Sequence, residues 1–269
     1  MTLITPASGM KAAAAGEPAL RLDAITKTFG GAVALDRVSF SIAPGEVVAL
    51  LGPSGAGKST IFRCISRLAE VDAGTVTVLG RDVGTLDRRA LREHRGAIGL
   101  IFQQFNLIGR MNAIDNALAG RLGHVPTWRA VTRCFSREDR QIALAALDRV
   151  GLLEKAYQRA DSLSGGQQQR VAIARVLAQR SRLVLADEPV ASLDPASASN
   201  VLNVLRDIAR ERGIAVLCAL HQTDLACRYA DRIVAMRKGR LVLDAPAAAV
   251  SAEELDAIYY DSPEAAAQP

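Results

Sequence analysis

The stretch that decides the fold of this chain reads Gly52-Pro53-Ser54-Gly55-Ala56-Gly57-Lys58-Ser59-Thr60. It follows the apolar run Val47–Leu51 and precedes a helical pattern, which predicts a strand, a glycine loop and a helix in succession. Glycines here let successive backbone N–H groups turn inward onto a phosphate, and the helix start adds its positive dipole end. In such a loop Lys58 reaches the β- and γ-phosphates, and the Ser59 hydroxyl can bind Mg²⁺. An ordinary glycine turn ahead of a helix is the simpler alternative, and the flanking strand and helix disfavour it.

Length and composition describe an ordinary globular chain. Its 269 residues are 49% hydrophobic and 23% charged, enough to bury the core of one large domain or two small ones. No apolar run approaches the roughly 20 residues needed to cross a bilayer. Residues 1–18 lack the basic start and long apolar core of a signal peptide, so we expect a disordered leader and a chain that stays in the cytoplasm.

Cysteine usage and charge exclude two other classes of protein. Cys64, Cys134, Cys218 and Cys227 are far apart and form no C-x-x-C pair, which favours reduced core thiols over a zinc site or disulfide framework. The net charge of +5 is spread along the chain with acidic residues in between, which is typical of a mildly basic solvated surface. Aromatic residues do not alternate with basic ones, so no nucleic-acid partner is expected.

The order of predicted elements indicates an α/β core with a helical insertion. Strands are predicted at 20–25, 38–42, 47–51, 75–79, 97–102, 183–186, 214–220, 232–236 and 240–243. Helices beyond the one after the glycine loop are predicted at 113–122, 137–150, 167–178 and 196–211. Strands dominate the first part, helices dominate from about 112 to 180, and alternation then returns. A short helix near 252–258 and polar disorder are predicted for the tail.

A second component of the phosphate site is predicted at the end of another strand. The apolar run 183–186 leads directly into Asp187 and Glu188. A carboxylate at Asp187 can hold the magnesium shell, while Glu188 faces another direction and can polarise an attacking water. A solvated loop after a strand would be the preferred interpretation without the glycine loop; with it, the catalytic interpretation is favoured.

A second helix start can also accept an anion. In Leu163-Ser164-Gly165-Gly166-Gln167, Ser164 can cap the helix while the two glycines leave its first amides open. A capped surface helix is the alternative. Because one nucleotide already occupies the glycine loop, a geometric question arises: how could the second helix start also reach a phosphate?

Together with Leu220-His221, these motifs resemble the nucleotide-binding subunit of ABC transporters, in the same order and over about residues 20–250. The resemblance implies an α/β fold: a P-loop NTPase core of the ABC type with an N-terminal antiparallel β-subdomain and an inserted α-helical subdomain at about 105–180. It places this domain at 19–250 and a C-terminal tail at 251–269. It also implies a head-to-tail homodimer in which Ser164 and Gly166 of one copy close over the γ-phosphate held by Lys58 of the other, which answers the geometric question.

The resemblance also assigns roles to single residues. Phe29 matches the aromatic that stacks on adenine, where Tyr is more usual, with a core position as the alternative. Gln103, rather than its neighbour Gln104, matches the glutamine that senses Mg²⁺ and water. Asp194 belongs to a loop that crosses to the partner chain, and His221 contacts the γ-phosphate. The ATP-binding set is Phe29, Gly52, Pro53, Ser54, Gly55, Ala56, Gly57, Lys58, Ser59, Thr60, Ser164, Gly165, Gly166, Gln167 and Asp194. The catalytic set is Glu188, His221 and Gln103, and the Mg²⁺ set is Ser59, Gln103 and Asp187. His94 and His124 are expected to be structural.

Further stretches are similar to phosphonate importer ATPases. These are 101–107, 120–124 with Trp128, 157–161 and 191–195. The similarity implies a peripheral subunit on the cytoplasmic face of the inner membrane, with two integral-membrane permease subunits and a periplasmic or extracellular solute-binding protein. Segment 121–140 is expected near the membrane partner, with Trp128 as a packing anchor. Because the binding protein selects the cargo, an importer of phosphate, phosphite or a polar amino acid stays open.

Three other classes are disfavoured. A DNA-repair ATPase of the same superfamily needs a long coiled coil between the glycine loop and the 163–167 motif, yet the 106 residues from Lys58 to Ser164 carry no sustained heptads. A translation factor of this type carries two cassettes, and this chain has one. A non-catalytic binding module is expected to lack Lys58, Glu188 or His221, and all three are present.

Overall fold

The computed structural model of the chain describes residues 16–259. The disorder predicted for the leader and for the end of the tail therefore falls largely outside the described residues. Within them, none of the helices is long and apolar enough to span a bilayer.

Residues 16–259 contain ten strands and nine α-helices. The strands are β1 Leu20–Phe29, β2 Ala32–Ile42, β3 Val47–Leu51, β4 Ala73–Val78, β5 Arg81–Asp82, β6 Ile98–Ile101, β7 Leu183–Asp187, β8 Ala215–Ala219, β9 Arg232–Arg237 and β10 Arg240–Pro246. The helices are α1 Lys58–Ile65, α2 Arg88–Ala97, α3 Ala113–Leu118, α4 Thr127–Thr132, α5 Arg137–Arg149, α6 Gly165–Ala178, α7 Pro195–Arg212, α8 Thr223–Tyr229 and α9 Ala252–Tyr259. Short 3-10 helices lie at 83–85, 119–124, 153–155, 160–162 and 247–249.

The first sheet is antiparallel, with strand order β2-β1-β4-β5. Leu20 of β1 pairs with Ile42 on one side and with Val78 on the other. All three side chains are buried in the same core cluster. The predicted N-terminal antiparallel β-subdomain is confirmed.

The second sheet carries the phosphate loop, with strand order β10-β9-β3-β8-β7-β6. Every neighbouring pair from β9 to β6 is parallel, and β10 pairs antiparallel with β9. Along β3, Val47, Ala49 and Leu51 face the core on the helical side, whereas Val48 and Leu50 face the core shared with the first sheet. Burial on both faces explains why these strands read as continuous apolar runs rather than alternating ones.

Parallel pairing decides where the functional side chains meet. Strands β3, β6, β7 and β8 all run in one direction, so their carboxyl ends lie at the same edge of the sheet. Ligands bind in the crevice outside this edge in open α/β sheets. The segments that follow these four strands carry Lys58, at the start of α1, and Gln103, Glu188 and His221, in loops.

Helices α3 to α6 lie between β6 and β7 in the chain, and α3, α5 and α6 pack on one another. Their shared core includes Leu118, Leu147 and Val171, each almost fully buried. A buried ion pair joins Arg121 to Asp139 of α5, with Nε and Oδ1 3.0 Å apart. Leu118, Leu147 and Val171 belong to the same core cluster as the helical side of the large sheet, and the limits of 105–180 for a separate subdomain stay a prediction.

Several elements differ from those predicted. Helix α2 was missed because its sequence is mostly charged, and α4 and α8 were missed because seven residues or fewer give little periodicity. The helix predicted at 113–122 ends at Leu118 and continues as a 3-10 helix.

One prediction about side-chain burial is wrong in part. Cys64 and Cys218 are buried thiols, as expected, but Cys134 and Cys227 are exposed. Spacing along the chain cannot reveal this difference, because burial depends on which face of the fold each residue occupies. Trp128, expected as a packing anchor near the membrane partner, is 61% exposed on the short helix α4 and lies against the neighbouring Arg129 guanidinium, so its role as an anchor stays a prediction.

Candidate active site

The glycine loop between β3 and α1 has a backbone shape that only glycine allows at two points. A Cβ on Gly52 would lie 2.3 Å from the carbonyl oxygen of Met236, and one on Gly57 would lie 2.8 Å from that of Ala34. Both residues also have positive φ angles, 144° and 106°. The loop is therefore pressed against β9 and β2, which leaves its open side for a ligand.

Lys58 begins α1 and is almost completely buried, at 6% exposure. Its Nζ donates to the carbonyl oxygens of Gly52 at 2.5 Å and Pro53 at 3.2 Å, so the ammonium is held over the loop. Burial lowers the pKa of Lys58, while the charges of Glu188 and Asp187 act in the opposite direction. Two carboxylates thus face this cation, which keeps a positive charge where phosphate would bind.

The next residue, Ser59, faces the end of β7. Its Oγ lies 3.5 Å from Oδ2 of Asp187. Burial raises the pKa of Asp187, and the neighbouring Glu188 carboxylate raises it further. A bound cation would relieve both effects, and a hydroxyl plus a carboxylate are hard oxygen donors that suit Mg²⁺. Among residues 16–259, no group of three or more His, Cys, Asp or Glu side chains is placed to hold a metal ion.

Glu188 turns away from Asp187 because its backbone is strained. Its φ angle is 50°, in the left-handed region, which costs a non-glycine residue on the order of 1–2 kcal/mol. Backbone bonds hold this conformation: the Glu188 amide donates to Ala219, and its carbonyl accepts from Ala191. Strain of this kind is concentrated at functional sites. Its effect here is to aim the Glu188 carboxylate across to the strand-end of β8.

There the carboxylate meets His221. Nε2 of the imidazole donates to Oε1 of Glu188 at 2.5 Å, since an ionised carboxylate can only accept. Both side chains line a cavity of about 190 Å³ together with the glycine loop; its lining residues are Ala34, Ser54, Gly55, Ala56, Gly57, Lys58, Ser59, Thr60, Glu188 and His221. The structure therefore brings the phosphate loop, the proposed base and the histidine to one cavity.

Phe29 lies outside that cavity, at the tip of the β1–β2 hairpin. Its ring is 46% exposed, so the core alternative is wrong. Lys27 Nζ stands 5.2 Å from the ring centroid and also donates to Asp72 at 2.7 Å. An open aromatic face beside a fixed cation suits stacking on a base, and its contact with adenine stays a prediction.

Gln103 is exposed and lies in the turn that follows β6. The amide of Phe105 donates to Phe102 across this turn, which places Gln103 at its first central position. Arg175 of α6 donates to the carbonyls of Asn106 at 2.6 Å and Phe105 at 3.4 Å. Arg175 ties the glutamine loop to the helix that starts at Gly165, a contact between distant segments that no sequence motif indicates.

Ser164 and its neighbours lie elsewhere in the chain. Ser164 Oγ accepts from the Gln167 amide at 3.3 Å, and Gln167 Oε1 accepts from the Ser164 amide at 3.1 Å. This capping box confirms the predicted helix start. Ser164 is exposed and does not line the Lys58 cavity described above.

The loop that carries Asp194 packs against this helix start within one chain. A Cβ on Gly166 would lie 2.8 Å from Ser197 Oγ, and one on Gly165 would lie 3.5 Å from Leu193. Asp194 caps α7 by accepting from the Ser197 amide at 3.0 Å, and hydrogen bonds from Ser197 lower the pKa of its carboxyl. The Ser164 region and Asp194 therefore form one exposed surface, separate from the cavity.

The two histidines expected to be structural have structural contacts. His94 Nε2 bonds to the carbonyl of Ile65 and His124 Nε2 to that of Gln179, each at 2.8 Å. Burial lowers the pKa of both rings. Both are thus neutral hydrogen-bonding side chains near neutral pH.

Comparison with known proteins supplies independent information. The family model described as ABC transporter matches residues 35–191. The chain is 50% identical over 252 residues to the phosphonates import ATP-binding protein PhnC of Nocardia farcinica, covering 93% of each. It is 47% identical over 241 residues to the hypophosphite import ATP-binding protein HtxD of Stutzerimonas stutzeri, covering 90% of this chain and 71% of that one. A dimeric ATP-binding cassette solved in a post-hydrolysis state with ADP and Pi superposes with a TM-score of 0.73 at 32% identity, covering 86% of this chain and 100% of that one.

Proposed function

The chain belongs to the ABC transporter family of ATP-binding proteins, and on that premise we propose that it hydrolyses ATP to energise the import of phosphonates. The observation that carries the hydrolytic part is the hydrogen bond of 2.5 Å between Glu188 and His221 at the rim of the glycine-loop cavity. A carboxylate held by an imidazole beside a phosphate cradle is the arrangement that can take a proton from an attacking water.

Each residue of the cavity has a proposed task in that reaction. The loop amides and Lys58 bind the β- and γ-phosphates and neutralise their charge. Glu188 accepts the proton of the attacking water, and His221 keeps the carboxylate oriented and contacts the γ-phosphate. Gln103 positions water from the β6 loop. Ser59, Gln103 and Asp187 hold Mg²⁺, which supplies charge neutralisation to the phosphates when bound.

A second copy of the chain completes the site. Ser164 is exposed at the glycine-flanked start of α6, where Gly165 and Gln167 are half-buried and Gly166 is buried, and this helix start lies away from the cavity of its own chain. A head-to-tail dimer brings this helix start over the γ-phosphate held by the partner, with Asp194 crossing beside it. The dimeric state of the solved cassette supports this assembly.

The remaining components follow from the importer role. The subunit works at the cytoplasmic face of the cell membrane, bound to two permease subunits whose partner is an external solute-binding protein. Closing of the dimer on ATP and reopening after hydrolysis drive the permease between two access states.

Phosphonate is the proposed cargo because relatives named for phosphonate import are about 50% identical over nearly the whole chain. Hypophosphite is the second candidate, since a relative named for its import is 47% identical over 90% of this chain. Both cargoes are small phosphorus oxyanions, and no residue of this subunit touches either of them.

The test is reconstitution of the full complex in liposomes with its cognate permease and binding protein. We expect methylphosphonate with the loaded binding protein to stimulate ATP hydrolysis severalfold over the empty binding protein. Hypophosphite, phosphate, phosphite and a polar amino acid are assayed in parallel. Stimulation by hypophosphite alone would replace the proposed cargo, and absence of ATP hydrolysis under every condition would contradict the enzymatic role.

A further inference from the structure

The last residue of helix α9, Tyr259, lies next to the active site. The helix start is well defined, because Ser251 and Glu254 exchange side-chain and backbone hydrogen bonds at 2.9 Å and 3.2 Å. Leu255 and Ile258 of this helix are buried in the core on the helical side of the large sheet. Arg237 at the end of β9 donates to the Ala257 carbonyl, which fixes the last turn next to the phosphate loop.

The hydroxyl of Tyr259 lies between the two segments that carry the chemistry. Its Oη donates to the carbonyl oxygen of His221, with the oxygens 3.4 Å apart. Burial raises the pKa of Tyr259, and the nearby backbone of Gly52, which opens the glycine loop, only partly opposes this, so the phenol stays a neutral donor at physiological pH.

These contacts matter because few other contacts hold the His221 backbone in place. The residue follows β8 directly, and its side chain is 43% exposed. Its ring position, 2.5 Å from Glu188, depends on where its backbone lies. The Leu220 amide donates to Leu50 at 3.3 Å on the strand side, and Tyr259 supplies the bond on the other side.

We propose that Tyr259 is a positioning residue for ATP hydrolysis, whose hydroxyl holds the His221 carbonyl in place and thereby fixes the imidazole against Glu188. The inference rests on the proposed function of the site. It assigns to α9 a role beyond packing. The hydroxyl, rather than the ring, carries the effect, and it acts through His221.

Tyr259→Phe in the full chain separates the two contributions, because it keeps the ring and removes the hydroxyl. We expect kcat for ATP hydrolysis to fall about 3- to 10-fold, the size of one neutral hydrogen bond, with less than about a twofold change in KM. Tyr157→Phe is the matched control: this tyrosine is 70% exposed in the helical insertion, and its variant should keep wild-type kinetics.

A double-mutant cycle with His221→Ala tests whether the effect passes through the histidine. If it does, Tyr259→Phe changes kcat by less than about 1.5-fold in the His221→Ala background, since coupled positions are not additive. An equal fold-change in both backgrounds would overturn the proposal, as would unchanged kcat in the single variant.

A measurement on the nucleotide-free protein does not depend on the residual ATPase activity of the variants. The chain has three histidines, so imidazole NMR signals can be assigned individually. Tyr259→Phe should shift the His221 signals and leave those of His94 and His124 in place; an unmoved His221 signal would overturn the proposal. Lack of ATP hydrolysis by the wild-type complex would instead contradict the proposed function, which keeps the two failures distinguishable.

Discussion

Nε2 of His221 lies 2.5 Å from Oε1 of Glu188, although 33 residues separate them in sequence. The two belong to loops after adjacent parallel strands, β8 and β7, so the sheet itself brings them together. The strained backbone of Glu188 then turns the Glu188 carboxylate toward His221 and away from the direction in which the Asp187 side chain points. The proposed general base is therefore positioned by fold topology first and by local strain second.

Glu188→Gln should abolish turnover while preserving ATP binding. The amide cannot accept a proton from water, so we expect ATP hydrolysis to fall by about 10²- to 10⁴-fold. The variant should also accumulate as an ATP-bound dimer, measured by size-exclusion chromatography with light scattering. Glu138→Gln, at an exposed position of α5, is the control and should hydrolyse ATP normally. Unchanged turnover in Glu188→Gln would remove Glu188 from its role.

Lys58→Ala should lose phosphate binding. The lysine is 6% exposed, and its ammonium is aimed over the loop by two carbonyl contacts. Loss of a charge-assisted hydrogen bond predicts about 10- to 100-fold weaker ATP binding, measured by calorimetry. Lys155→Ala in the helical insertion is the control. Equal affinity of wild type and Lys58→Ala would place the phosphates elsewhere.

The fold of the site was predictable because its chemistry sits at strand ends. Apolar runs identify β3, β7 and β8 directly, and the polar residues just beyond them had to meet at one edge of a parallel sheet. The antiparallel sheet followed equally from alternation in β2, whose Val38, Phe40 and Ile42 all face the core.

Other features of the site depend on contacts between distant segments, which the sequence pattern does not reveal. The left-handed φ of Glu188 is imposed by bonds to Ala219 and Ala191, which no local propensity reports. Tyr259 reaches the site only because α9 packs on the large sheet, a tertiary effect. The exposure of Trp128 on the short helix α4 is likewise not visible in the sequence pattern.

Asp72 should make stability depend on acid pH. Hydrogen bonds from Lys27 and Thr28 hold the pKa of this carboxyl at about 2, below its ordinary 3.8. A lowered folded-state pKa means that the carboxylate stabilises the fold fully above about pH 4 and loses this effect as pH falls toward 2. The Tm difference between wild type and Asp72→Asn should therefore be constant from pH 7 to 5 and shrink below pH 4. The exposed Asp207→Asn variant is the control, and a difference that grows on acidification would contradict the assignment.

Asp139→Ala should destabilise the helical insertion strongly. Arg121 and Asp139 are each 8% exposed, and removing one partner leaves a buried charge without compensation. Burial pushes the pKa of Asp139 up, but hydrogen bonds from Ser136 and Arg121 outweigh this and leave it lowered. We expect a loss of about 3–5 kcal/mol in the free energy of unfolding by urea. Ser136→Ala removes the helix cap and one hydrogen bond to Asp139 but keeps the ion pair, and should cost about 1 kcal/mol; equal losses would assign the effect to the Ser136 contacts rather than to the ion pair.

The most direct test of the shared site is a crystal structure of Glu188→Gln with ATP and Mg²⁺. The account predicts two copies related head to tail, with Ser164 and Gly166 of each contacting the γ-phosphate bound by Lys58 of the other. A nucleotide contacted by a single copy, with Ser164 facing solvent or another surface, would contradict it.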